Sequence, residues 1–306
     1  MSGSFFQPQM SGRWRKAAGS PHAETTRPVV VPVQPRWSLS QITTYRSELK
    51  DELIAAAAAG FQGIGLWRTK LSAYEDQTVA ELMHQHGMHA ASLSWAGGFT
   101  GSLGFSYEEA LEDARDAVRQ AARLQAETLI LVTGSQNGHI LPHCRKTARD
   151  ALLLLADEAS DRGVRLALLP MQARFQQSAT FLHTVDETLK LLDMMKHPGI
   201  GLAFDTFHLW PTPSLLDRIP AIAPRTFLVQ VSDSPLDPRD HLDRRLPGEG
   251  ALPLPEILNQ FLSHGYRGYF DVQVWSEDVW RMPPAEVITA CHRFAPAVAG
   301  AVTRFA

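Results

Sequence analysis

Two ionisable side chains three residues apart, Asp205 and His208, close the apolar run GIGLAFDTFHLW that spans Gly199 to Trp210. Burying a carboxylate costs several kcal/mol unless it is paired. The pair therefore either works on a ligand or forms a structural contact, with His208 bonding Asp205 or a neighbouring carbonyl. Other polar groups and tryptophans end similar apolar runs: Trp67 and Arg68, Ser94 and Trp95, Thr133 to Gln136, Pro170 to Gln172, Gln230 and Asp233, and Gln273 and Trp275, with Glu277 just beyond. Aromatic faces beside hydroxyl, amide and carboxylate groups are the materials of a carbohydrate or polyol site, because sugars present apolar C–H faces and many hydroxyls together. The bland alternatives are rim packing for Trp67 and Trp95 and backbone satisfaction for Gln230 and Gln273. His139, His143, His183 and His241 lie in polar loop segments and read as solvated imidazoles.

These residues could meet only if the runs carrying them are parallel strands with their carboxyl ends on one side. Short uncharged aliphatic runs are the pattern of strands buried on both faces. The first is WSLSQITTY from Trp37, followed by a helix from about Leu49 to Ala59 that stops at Gly60, a residue suited to a left-handed C-cap. Strands then recur at Gly60 to Trp67, Met88 to Trp95, Glu127 to Ser135, Val164 to Met171, Gly199 onward, Thr226 to Asp233 and Gly268 to Trp275. Helical patterns fall between them at Glu81 to His86, Tyr107 to Leu124, Lys146 to Arg162, Val185 to Met195 and Leu254 to His264, with a last one at Ala285 to Phe294. Eight alternating strands and helices over about 260 residues predict an α/β fold of the (β/α)8 barrel class, which leaves no open edge. An open doubly wound sheet is the alternative. No GxGxxG or GxxxxGK[ST] loop follows any strand, which leaves nucleotide binding without a motif.

Composition sets the remaining bounds. The 306 residues are 44% hydrophobic and 20% charged with a formal net charge of −3, which gives no electrostatic footprint for nucleic acid or an anionic membrane. No apolar stretch approaches the length of about 20 residues that spans a bilayer. Residues 1 to 36 are rich in Ser, Gly, Pro and Arg and read as a flexible N-terminal extension ahead of a single barrel domain over 37 to 306, although an Arg-rich, acid-poor start also fits a transit peptide. Cys144 and Cys291 lack the spacing of a metal knuckle or disulfide framework, and the expected location is a reducing cytoplasm.

Three segments, GIGLAFDTFHLW, FLVQVSDSP with DRRLPGEGALPLPEIL, and GYFDVQVWSEDVW, resemble the xylose isomerase-like barrel superfamily, which includes sugar-phosphate isomerases and epimerases, inosose dehydratases and type IV apurinic endonucleases. The resemblance runs over essentially all of Trp37 to Ala295. It implies a divalent ion such as Mn, Co, Zn or Mg, held by a Glu on strand five, an Asp on strand six, a His on strand seven and a Glu on strand eight, with the two Glu also moving protons. Matched onto this chain, those positions carry Leu169, Asp205, Gln230 and Gln273. Only Asp205 is retained. Leu169 offers no donor and the glutamines offer neutral amides, so no bound metal cofactor is expected.

What the resemblance retains is the substrate half. His208 matches a His that contacts a substrate oxygen, and Asp243 to Arg245 with Gly248 to Gly250 match a segment whose Arg faces substrate; Arg245 and Glu249 join Trp67, Trp95, Gln230, Asp233, Gln273 and Trp275 as expected substrate contacts. Three functions follow as expectations. One is a metal-free isomerase, epimerase or lyase acting on a sugar, keto-sugar or cyclitol, with Asp205 and His208 as acid and base. The second is a sugar-binding or regulatory barrel without catalysis. The third is a metal enzyme with its site relocated to Asp205, His208, Asp233 and Glu277. A small carbohydrate or polyol is the expected partner, with nucleic acid and membrane excluded and homo-oligomers left open.

Overall fold

The alternation of buried runs and amphipathic segments resolves, in the computed structural model, into eight parallel strands closed on themselves. The structure describes residues 28–102, 104–176, 179–298 and 300–305. The barrel strands are β1 (Arg36–Ser40), β2 (Gly63–Trp67), β3 (His89–Gly97), β4 (Thr128–Val132), β5 (Arg165–Leu168), β6 (Ile200–Asp205), β7 (Thr226–Val231) and β8 (Tyr269–Val272). They pair in sequence order and β8 returns to β1. The closing seam pairs Trp37 with Phe270 and Ser38 with Asp271, and Thr43 Oγ1 bolts it by donating to the Val272 carbonyl at 2.8 Å while accepting from Val274 N–H at 2.9 Å.

Each strand divides its residues between two cores because successive side chains point to opposite faces. Outward residues such as Leu166, Leu168, Leu202, Phe204, Val229 and Val231 pack against the helices. Inward residues Ile130, Ala167, Leu169, Ala203, Leu228 and Tyr269 fill the barrel. The same inward parity carries Asp205 on β6, Gln230 on β7, Asp271 on β8 and Ser38 on β1, which lie side by side in register around the barrel wall. The interior thus changes from apolar to polar toward the carboxyl ends of the strands.

Helix ends follow local chemistry. Gly60, at φ 97°, caps Leu49–Ala59 in the left-handed conformation expected of it. Val185–Met195 starts from a capping box of Thr184 and Glu187. The expected boundary at Trp37 does not hold on its N-terminal side: Pro28–Val33 is a strand, paired antiparallel with Gly300–Phe305 in a two-stranded ribbon outside the barrel. Residues 1–27 of the expected extension lie outside the described residues.

Candidate functional site

The carboxyl end of β6 passes directly into a single helical turn, Thr206–Leu209, and Asp205 is its N-cap. One oxygen, Oδ1, accepts from the N–H groups of Phe207 at 2.8 Å and His208 at 3.2 Å. The other, Oδ2, accepts from Arg244 Nη1 at 2.9 Å. Arg244 is itself only 3% exposed. Its Nη1 also donates to Ser232 Oγ at 3.3 Å, its Nη2 to His208 Nε2 at 3.1 Å and its Nε to the His241 carbonyl at 3.4 Å, while the guanidinium lies 4.4 Å over the Phe207 ring. These contacts use four of the five guanidinium hydrogens and leave one on Nη2. On the far side of the His208 ring the Gln172 N–H lies 3.3 Å from Nδ1; a neutral ring accepts at one nitrogen only, and the shorter contact, to Arg244, takes that lone pair.

These contacts set the charges. Burial alone would push Asp205 up, but the Arg244 guanidinium, His208 and the hydrogen bonds hold its carboxyl below the usual range. Burial drives His208 the other way, down to about 3, against the upward pull of Asp205, with Arg244 and His241 adding to the fall. The site at neutral pH is thus a carboxylate, a guanidinium and a neutral imidazole.

Around this triad opens a pocket of about 230 Å³, lined by the apolar Leu169 and Met171, by Trp95, Trp275 and Gln273, and by the ionisable Asp205, His208, His241 and Arg244. Trp95 and Trp275 stack at 5.7 Å with 19° between planes. A hollow of about 450 Å³ at the other end of the barrel contains Arg36 and Arg165, but both guanidinium groups are paired with Glu127 and it lies at the strand starts.

Six of the residues expected at the site therefore gather in one place: Asp205, His208, Trp95, Trp275, Gln273 and the mismatched Leu169. The others stand elsewhere. Trp67 sits behind the wall, edge-on to Trp275 at 6.1 Å. Gln230 is buried below the pocket, between Asp205 and Asp271 in register, and its amide atoms have no hydrogen-bond partner among the described residues. Asp233 organises the following loop: its carboxylate accepts from the N–H groups of Ser234, Gly248 and Leu252 at 2.8 to 3.0 Å, and a Cβ on Gly250 would lie 2.2 Å from its Oδ1. Glu249 is exposed and does not line the pocket.

The Arg expected to face substrate is corrected by one position. Arg245 pairs its backbone with Asp233 in an antiparallel bridge and its side chain with Asp243 at 2.8 Å, and it is Arg244 that enters the pocket. Two groups went unrecognised, Arg244 and His241. The former is masked by an adjacent residue of the same type, and the latter lies in a polar loop.

The sequence profile of the xylose isomerase-like TIM barrel family matches residues 53–295. The chain belongs to this family. A 3-dehydroshikimate dehydratase of Pseudomonas putida is 25% identical over 239 residues, which cover 75% of this chain and 36% of the relative, so the chain spans about a third of that protein. An inosose isomerase of Bacillus velezensis is 22% identical over 84% of this chain and 94% of its own length. Among solved structures, the IOLI protein with a bound zinc atom superposes with a TM-score of 0.76 at 19% identity, covering 86% of this chain and 98% of that one.

The residues here do not fit such an ion. Of the four family positions, Leu169 is a hydrocarbon, Gln230 and Gln273 are amides, and Asp205 already accepts from a guanidinium. Imidazole, thiolate and carboxylate are the donors that hold transition metals. Among the described residues, no three His, Cys, Asp or Glu side chains gather where they could hold one. The relocated site does not assemble either: Asp233 is committed to its loop, and Glu277 is exposed and pairs with Arg281 at 2.9 Å. No helix among the described residues is long and apolar enough to cross a membrane.

Proposed function

We propose that this barrel binds a sugar, keto-sugar or cyclitol in the pocket at its mouth and isomerises or epimerises it without a divalent ion, with Arg244 as the electrophile. The observation that carries this reading is the placement of Arg244, a fixed buried guanidinium with one N–H uncommitted, in the same pocket as the stacked rings of Trp95 and Trp275. A substrate carbonyl that accepted this N–H would be polarised, and an enediolate oxygen would be stabilised in the same place. The ring can lie along the indole faces, and Gln273 supplies an amide for a hydroxyl. The names of the two curated relatives, an inosose isomerase and a 3-dehydroshikimate dehydratase, support the class of small oxygenated rings.

In this reading Asp205 and His208 position the guanidinium. His208 accepts from Arg244 at Nε2, and Asp205 is bonded through both oxygens. The proton carrier is His241, which lines the same pocket. Burial and then the nearby Arg244 lower its pKa, so it is an unprotonated base at neutral pH. It would take the proton from the carbon beside the carbonyl and return it to the neighbouring carbon while the hydroxyl proton passes to the former carbonyl oxygen, or solvent would protonate the opposite face while His241 gives up its proton to water.

A second reading, binding or regulation without turnover, is favoured by one observation: no carboxylate in the pocket is free of a cation. Incubation with aldoses, ketoses, cyclitols and their phosphates in D2O separates the two. A ligand that raises the melting temperature and gains deuterium beside its carbonyl with the native chain, but not with His241→Ala, supports the enzyme. Exchange should hold level at neutral and alkaline pH and fall on acidification below pH 6.5, where His241 takes up a proton. Binding without exchange establishes the second reading, and no binding by any member of the panel sinks the carbohydrate class.

A further inference from the structure

We infer that the guanidinium of Arg244 is the resident cation of this mouth, seated by Asp205 and His208 where relatives would place a metal, and that its presence excludes a divalent ion. The seat is built for a flat, hydrogen-donating cation. Asp205 Oδ2, Ser232 Oγ and His208 Nε2 accept from its edge at 2.9, 3.3 and 3.1 Å, the His241 carbonyl accepts from Nε at 3.4 Å, and the Phe207 ring supports one face at 4.4 Å. Carbonyl, hydroxyl, imidazole and carboxylate acceptors fanned in the plane of a cation, with an aromatic face against it, suit a guanidinium and not a spherical ion.

Exclusion follows from charge and from donor count. A divalent ion coordinated by Asp205 would stand within a few ångströms of a fixed positive charge, in a buried setting where such repulsion is weakly screened. It would also find no anionic ligand to compensate, because Leu169 and Met171, which line the same pocket, carry no charge. A guanidinium does not dissociate, and it cannot be removed by a chelator. The electrophile is thereby made part of the chain.

The inference concerns which ion the seat holds, so it is tested without any substrate and stands or falls apart from the carbohydrate reading. Native chain and Arg244→Ala are titrated with Co2+ and, separately, with ethylguanidinium, following thermal melting and the visible absorption of cobalt. The expected result is a rise of several degrees in the melting temperature of Arg244→Ala with ethylguanidinium and no rise for the native chain. With only Asp205 and His208 left as adjacent donors, cobalt is expected to bind Arg244→Ala weakly, yet roughly tenfold or more tightly than the native chain. Native chain that binds cobalt as tightly as the variant overturns the inference, as does a folded variant indifferent to both ions. Where Arg244→Ala fails to fold, Arg244→Met keeps the volume without the charge and takes the same titrations.

Discussion

Asp205 and Asp271 are a natural pair for comparison. Both are 1% exposed, both point into the barrel, and both stand in register with Gln230, one on each side of it. Asp205 has a guanidinium and two backbone N–H groups, and its carboxyl lies below the ordinary range. Asp271 accepts from Ser38 Oγ at 2.7 Å and has no ion pair among the described residues; burial pushes it up to about 7. Equal burial therefore leaves the two carboxyls shifted in opposite directions, and the partner decides which. The charged half of the barrel top is the half that meets the pocket.

The comparison can be broken by making the same substitution twice. Asp205→Asn should cost about 3–5 kcal/mol in urea unfolding at pH 7, because it leaves Arg244 buried without its counter-ion. Asp271→Asn should do the reverse at alkaline pH. An unfolded aspartate titrates near 4, so between that pH and about 7 the folded chain keeps a proton that the unfolded chain has released. Native stability should thus be highest at the acid end of this window and decline as pH rises through 7. Asp271→Asn removes that decline and should exceed the native chain by roughly 2–4 kcal/mol at pH 8; equal slopes for both proteins would show that Asp271 is ionised in the fold. The smallest effect is expected of Ser38→Ala, which takes away a hydrogen bond worth about 1 kcal/mol and moves the midpoint of the pH decline upward, measurable as a shift of the stability curve along the pH axis.

Much of the barrel was legible because parallel strands buried on both faces leave uninterrupted aliphatic runs, and all eight appeared in order. Helix ends were legible where a cap was written in the chain: Val185–Met195 and Leu49–Ala59 match their expected limits, one begun by Thr184 with Glu187 and the other ended by Gly60. Leu141–Asp161 begins five residues before the expected Lys146, with Pro142 in its first turn, and the short helices Thr206–Leu209 and Glu277–Arg281 gave no periodicity long enough to see. At the site, Asp205 and His208 stood out because polar groups ending an apolar run require an explanation. Arg244 did not, since an irregular loop has no period from which to decide which of two adjacent arginines points inward. That is settled by the backbone bridge between Asp233 and Arg245, a contact between residues 12 positions apart that turns one side chain away and admits the other. Asp271 is legible by the same rule: in GYFDVQVW it shares strand parity with Gln273 and therefore faces inward.

The seam between β1 and β8 has a kinetic consequence. Its partners Ser38 and Asp271 lie 233 positions apart in the chain, so the pairing that completes the ring is among the most non-local in the molecule and forms against a large loop-closure entropy. No ribosome-bound chain can make it until residue 272 has emerged. Before that moment the strands already assembled form a sheet with two raw edges, each able to recruit a second chain. The hydroxyl of Thr43, gripping Val272 and Val274 across the gap, is the latch that ends this exposure.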